Sequence, residues 1–155
     1  AGMTSTSLEV HGEVTPNKMR LYRYDKDGAI EADDETDLSV KYPGGGIEST
    51  ASDLVRFAIA FENGALLDAQ HRELMFQAPE VRRRPFNYGF GWIYETDDRL
   101  GRVIKHDGGQ AGTSTNLIIL RDHGIAVAVL ANLYGVTGPV RDITIALAEK
   151  ALETK

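Results

Sequence analysis

The sequence predicts an α+β fold in which an antiparallel sheet carries a helical hairpin and a C-terminal helix packed on it. Three observations carry this expectation. STASDLVRFAIAFENG (49–64) has helical periodicity, the chain from Asn87 changes to strand-like segments joined by short links, and from Gly138 it returns to a helical pattern.

Residues 1–48 are turn-rich and weakly periodic. Within them, Arg20-Leu21-Tyr22-Arg23-Tyr24 and Ala29-Ile30 flank Asp25-Lys26-Asp27-Gly28, a small surface hairpin. Tyr42-Pro43-Gly44-Gly45-Gly46 lacks the spacing of a phosphate loop and reads as a tight connection. In the first helix Thr50 and Asp53 stand in capping-box spacing and Asn63-Gly64 is the stop. Leu54, Val55, Phe57, Ala58 and Phe61 give it one apolar face. A shorter helix starts at Asp68 and runs through Leu74 and Met75 before Pro79 ends it, completing a helical hairpin.

Tyr88, Phe90, Trp92 and Tyr94 alternate with Gly89, Gly91 and Ile93, the pattern of a strand with one bulky and one mostly small face. Further strands are expected at 102–106, 113–120 and 125–133, the last two joined by the hairpin link Arg121-Asp122-His123-Gly124. Gly138-Pro139 opens a helix on which Val140, Ile143, Leu147, Ala148 and Ala151 share a face. With the helices on one face of the sheet, its small-residue side lacks a cover, as in part of a larger fold or a chain that pairs with another. The expected organisation is a loop and helical region at 1–86 and the sheet with its final helix at 87–155, together an incomplete single fold.

A chain of 155 residues suits one domain and buries about 70% of its unfolded surface. Hydrophobic residues at 42% and charged ones at 26% are ordinary for a globular domain. A net charge of -6 argues against nucleic acid as a partner, and Arg82-Arg83-Arg84 reads as a solvated loop. No cysteine is present, which excludes thiolate chemistry and leaves the compartment open. The longest apolar run, Ile125–Ala131, is too short to span a membrane, and AGMTSTSLEV has no signal-peptide pattern.

Nucleophilic acyl transfer needs a hydroxyl or thiol beside a base. No serine is followed three residues later by lysine; Thr15-Pro16-Asn17-Lys18 has that spacing but lies in a turn-like stretch. Ser114 sits in Gly112-Thr113-Ser114-Thr115-Asn116, which lacks the final glycine of a nucleophile elbow and precedes a strand. His11, His71, His106 and His123 are too scattered for a metal site, and no cofactor is implied. The carboxylates of Asp33-Asp34-Glu35 and Asp97-Asp98 read as solvated. His106 differs, because it ends an expected strand and Asp107, Gly108 and Gly109 follow it. Those glycines serve either a bulge or tight turn, or a bare backbone that presents N–H groups to a carbonyl oxygen.

The order of segments resembles the C-terminal half of the serine β-lactamase and penicillin-binding-protein-like hydrolases, a group that includes class C β-lactamases, D-Ala carboxypeptidases, β-lactamase-fold esterases and D-aminopeptidases. Gly2-Met3-Thr4-Ser5-Thr6, the segment from Tyr42 to Leu54, Tyr88-Gly89-Phe90-Gly91-Trp92, His106-Asp107-Gly108-Gly109 and Ala131-Asn132-Leu133 carry the likeness. The resemblance implies the C-terminal part of a β-lactamase/transpeptidase-like fold and hydrolysis of an ester, amide or β-lactam through an acyl-serine. It also implies that the serine and lysine of SxxK and the tyrosine of YxN lie outside this chain, which would then be inactive alone. Its partner would be the N-terminal half of the same fold or a second chain, and its substrate a small-molecule or peptide acyl donor. His106 would be the cationic or donor residue of the family's third motif, and Gly109 the backbone half of an oxyanion hole. Asp107 and Gly108 would line the substrate, with Asp107 standing where the family's threonine donates to a substrate carboxylate. Such proteins are often exported, though no signal is present here. Two other readings are a non-catalytic binding or assembly module and a self-sufficient hydrolase using Ser114 with His106.

Overall fold

The computed structural model describes residues 1–13, 15–33, 37–77 and 87–154. Its centre is a four-stranded antiparallel sheet ordered β5-β6-β7-β8, made of β5 (Ile93–Asp97), β6 (Gly101–Gln110), β7 (Thr113–Leu120) and β8 (Ile125–Ala131). Before it come β1 (Ser7–Leu8), paired with β4 (Ile47–Glu48), and the hairpin of β2 (Tyr22–Tyr24) with β3 (Ile30–Ala32). In that hairpin the Asp25 carboxylate accepts from the Asp27 and Ala29 N–H groups, so the expected turn is present.

Helices cover both faces of the sheet, not one. On the first face Ile104, Leu117 and Ile119 pack against Ala58 and Phe61 of α1 (Ala51–Glu62), with Phe76 and Trp92. On the second, Val103, Ile118 and Leu120 meet Leu100 and Ala148, the last from α3 (Thr137–Glu153). The cause is legible in β7, whose end Leu117-Ile118-Ile119-Leu120 is apolar without alternation, as a strand buried on both sides requires. Each such side chain contributes about 1.5–3 kcal/mol when fully buried.

The capping box of α1 is half formed. Thr50 Oγ1 accepts from the Asp53 N–H at 3.2 Å, but the Asp53 carboxylate, fully buried, turns instead to the Ser5 N–H at 2.7 Å, the Thr6 hydroxyl at 2.8 Å and Arg56 at 2.7 Å. Burial pushes the Asp53 carboxyl up, and these hydrogen bonds more than offset it, so its pKa lies below the usual carboxylate value. The second helix, α2, covers Ala69–Leu74, capped by Asp68. Arg121 holds the pair to the sheet, bonded to Glu62 of α1 and Glu73 of α2 while its guanidinium lies 4.6 Å from the Phe76 ring centre. On α3 the buried positions are Val140, Thr144 and Ala148, one turn apart, whereas Ile143 and Leu147, expected on the same face, are half exposed.

The strand expected from Asn87 begins only at Ile93. Residues 89–92 instead form a tight turn in which the Gly89 N–H donates to the Trp92 carbonyl at 2.7 Å. A Cβ on Gly89 would lie 2.0 Å from the Met75 carbonyl oxygen, which accepts the Phe90 N–H at 2.8 Å. The glycine therefore admits the end of the helical hairpin, and its alternation with aromatics is not a strand pattern.

Candidate active site

The strand expected at 102–106 runs on to Gln110, with Gly108 paired to Thr115 and Gly109 to Ser114 in unbroken register. No bulge interrupts it, and the reversal comes later, at Ala111 (φ 33) and Gly112 (φ 71), the left-handed pair that a two-residue hairpin loop needs. On the other side β5 stops at Ile93, opposite Lys105. From His106 to Gln110, β6 is therefore paired only with β7 among the described residues. Alternate residues of this stretch turn both N–H and C=O toward the open side.

Strand alternation divides the motif between the two faces. His106 and Gly108 share the face of Ile104, and Asp107 and Gly109 share the face of Val103. The Tyr88 hydroxyl lies 2.8 Å from His106 Nε2, with the rings edge-on at 5.8 Å between centroids. Sequence reasoning missed Tyr88 as a partner for His106, since the turn at 89–92 alone brings it there. Asp107 reaches the other way and pairs with Arg141 of α3, another residue the sequence did not single out. Beside them, Gly109 leaves space near the Thr137 hydroxyl, which a Cβ would approach to 3.1 Å. At the far end Gln110 lies against the Pro43-Gly44-Gly45-Gly46 connection, where a Cβ on Gly45 would overlap its carboxamide.

The remaining candidates separate from this strand. Ser114 is buried; its hydroxyl donates to the Leu133 carbonyl at 2.9 Å and accepts from the Val136 N–H at 3.1 Å. It fastens the start of α3, and it pairs with Gly109 on the face away from His106, so the Ser114–His106 hydrolase is overturned. Lys18 lies 2.6 Å from Glu48. Burial pushes the Lys18 ammonium down, while Glu48 and then Glu9 more than offset it and leave its pKa raised, the opposite of a base poised to accept a proton. His71 pairs with Asp68 and His11 with Asp37. Among the described residues no three His, Cys, Asp or Glu side chains gather as a metal site, and no helix is long and apolar enough to cross a membrane. Pro79, Arg82-Arg83-Arg84 and Asp34-Glu35 lie outside the described residues.

Residues 1–151 match the family model described as Beta-lactamase. Penicillin-binding protein 4* of Bacillus subtilis (strain 168) is 27% identical over 145 residues, 85% of this chain and 32% of that protein. Among solved structures, D-amino acid amidase from Ochrobactrum anthropi SV3, complexed with L-phenylalanine, superposes with a TM-score of 0.77 at 20% identity, covering 99% of this chain and 48% of the amidase. A penicillin binding protein from Bacillus halodurans gives 0.73 at 19% identity, over 94% of this chain and 45% of its own. The chain thus spans about a third of the curated relative and under half of each of these two structures.

Proposed function

This chain belongs to the Beta-lactamase family, and from that membership we propose that it forms one wall of the acyl-transfer site of a serine hydrolase. The observation that carries the reading is the open edge of β6 from His106 to Gln110. An extended acyl donor adds there as a further strand, its main chain bonded to the backbone of β6. The Gly109 N–H donates to the reacting carbonyl oxygen and shares the oxyanion hole with the N–H of the nucleophilic serine. Gly108, on the His106 face, leaves room for the acyl group. His106, held by Tyr88, donates to the substrate or to the departing group.

No Ser-x-x-Lys or Tyr-x-Asn occurs in the sequence, so the nucleophile and its base come from an N-terminal half or a second chain, and the 155 residues alone are inactive. In the assembled site the serine oxygen attacks the carbonyl carbon and passes its proton to the base. The tetrahedral oxyanion collapses with loss of the leaving group, which takes that proton. Water then repeats the sequence on the acyl-serine and releases the acid. Relatives named as penicillin-binding proteins and a D-amino acid amidase support ester, amide or β-lactam substrates.

An assembly module is the second reading. It is favoured by β8, whose seven apolar residues pair only with β7 among the described residues, and by the half-exposed Ile143 and Leu147. Fluorophosphonate labelling of the purified protein, read by intact mass, decides between them. A label on a longer or co-purifying chain supports the hydrolase, and a longer or co-purifying chain that stays unlabelled supports the module. A label on these residues themselves would show that the nucleophile has been misplaced.

A further inference from the structure

We propose that Tyr88 is a positioning residue that fixes His106 in one tautomer, with the proton on Nδ1, so that the ring meets an acyl donor as a neutral hydrogen-bond donor and not as a cation; this rests on the acyl-transfer reading above. The Tyr88 hydroxyl lies 2.8 Å from His106 Nε2, and the two rings meet edge-on. In a neutral imidazole one nitrogen donates and the other accepts, and the bond made by one decides the proton on the other. A phenol hydroxyl is more acidic than the N–H of a neutral imidazole, and an imidazole nitrogen is more basic than a phenol oxygen. The tyrosine proton therefore goes to Nε2, and the ring proton is left on Nδ1. Among the described residues no anion holds the ring as a cation: Asp107 is bonded to Arg141 on the other face, and Glu95 to Lys105 at 2.5 Å.

Within the ring Nδ1 is bonded to Cγ and stays near the strand, whereas Nε2 is the outer nitrogen and is the one Tyr88 takes. Gly108 follows on the same face, about 7 Å along β6. A Cβ on it would meet only Thr115 Oγ1, at 3.3 Å among the described residues, so no side chain fills the space beside the ring. His106 is exposed, and among the described residues nothing else bonds to its ring. An acyl donor over Gly108 therefore finds the Nδ1–H as the remaining donor. With the proton on Nε2 instead, Nδ1 would offer a lone pair to the same carbonyl or leaving-group oxygen and repel it. Tyr88 thus decides the sign of the interaction. It owes its place to the turn at 89–92, closed by the Gly89 N–H on the Trp92 carbonyl and fastened to the helical hairpin by the Phe90 N–H on the Met75 carbonyl.

Asparagine and glutamine tell the two nitrogens apart, since the asparagine NH2 group takes the place of Nδ1 and the glutamine NH2 group that of Nε2. Hydrolysis of 4-nitrophenyl hexanoate is followed in the protein that contains this chain together with its nucleophile-bearing half. Both substitutions remove the ring, yet His106→Asn should keep kcat/KM about tenfold or more above His106→Gln, one hydrogen bond's worth. Tyr88→Phe should lower wild type about two- to tenfold and change His106→Asn by less than about twofold, because an amide has no tautomer to be set. Equal loss in both backgrounds would make Tyr88 merely structural, and glutamine equal to or better than asparagine would give the donor to Nε2. Either result overturns the inference, while turnover of the ester keeps the acyl-transfer reading standing. Should the variants not fold, the wild-type ring decides. In long-range proton–nitrogen spectra at about pH 8, above the ordinary imidazole range, Nδ1 should carry the proton and Nε2 none; a proton on Nε2, alone or together with one on Nδ1, refutes the proposal. A wild type that cleaves no ester and forms no acyl-enzyme by mass overturns the acyl-transfer reading, and with it the part assigned to Nδ1, whatever the spectrum shows.

Discussion

Gly108 and Gly109 are neighbours on β6 with opposite surroundings, and alanine at each position separates what the fold needs from what a substrate needs. At Gly108 the new methyl would stand on the His106 face, 3.3 Å from Thr115 Oγ1. At Gly109 it would stand on the α3 face, 3.1 Å from Thr137 Oγ1 and 3.6 Å from the Thr113 carbonyl. Neither residue has a left-handed φ, so alanine is conformationally allowed at both. Losing glycine stabilises the folded state by about 0.4–1 kcal/mol through the unfolded chain. Displacing one rotatable hydroxyl by a few tenths of an ångström falls at the low end of the ~1–3 kcal/mol cost of overpacking. The terms offset each other, and each variant should lie within about 1 kcal/mol of wild type, a Tm change of about 2–4 °C. Activity should split them. Gly108→Ala puts a methyl where the acyl group lies, and a misplacement of that size lowers kcat/KM by about a hundredfold. Gly109→Ala keeps its N–H and turns its methyl away, so it should stay within about tenfold of wild type, one hydrogen bond's worth. Thermal denaturation and ester hydrolysis by the complete protein measure both. Wild-type turnover in Gly108→Ala would refute the placement of substrate on the His106 face, and a loss of several kcal/mol of stability would return the glycine to the fold.

Three further outcomes are expected. Asn116 is 2% exposed and its carboxamide has no hydrogen-bond partner among the described residues; Asn116→Leu should stabilise the protein by about 1 kcal/mol in urea unfolding, because an unsatisfied buried polar group costs about 1–3 kcal/mol, and a loss of stability instead would place a polar partner outside these residues. The depressed pKa of Asp53 gives stability that is present above the ordinary carboxylate pKa and is lost as pH falls through the lower folded value; Tm should therefore drop on acidification below about pH 4, and Asp53→Asn should flatten that acid limb, with an unchanged limb counting against the assignment. Tyr88→Phe removes the 2.8 Å contact with His106 Nε2; the nitrogen shifts of the ring should move by NMR and kcat/KM should fall about two- to tenfold, whereas unmoved shifts would mean that Tyr88 does not hold the ring.

Where side-chain period and short links decided the matter, the sequence was a good guide. The strand Thr113–Leu120, the start of β8, the cap at Thr50 and the surface hairpin around Asp25 lie where they were expected. The misreadings share one physical source, which is that a glycine's neighbours are tertiary. In Tyr88-Gly89-Phe90-Gly91-Trp92 the alternation imitates a strand, yet Gly89 is small because the Met75 carbonyl abuts it. On α3 the face was drawn by hydrophobicity, and the buried line proved to include Thr144, whose hydroxyl is satisfied by the Val140 carbonyl at 2.7 Å and so tolerates burial where an unpaired one would not.

The same limit applies to the candidate site. His106-Asp107-Gly108-Gly109 was conspicuous as a string, but a string does not say that its members part company. Continuity of β6 through Gln110 sends His106 and Gly108 to the α1 side and Asp107 and Gly109 to the α3 side. Asp107 then has a cation, Arg141, thirty-four residues away, to answer its charge. The Asp107 carboxylate becomes half of an ion pair on the α3 side, and the open backbone edge between the two faces is left as the surface along which an acyl donor can lie.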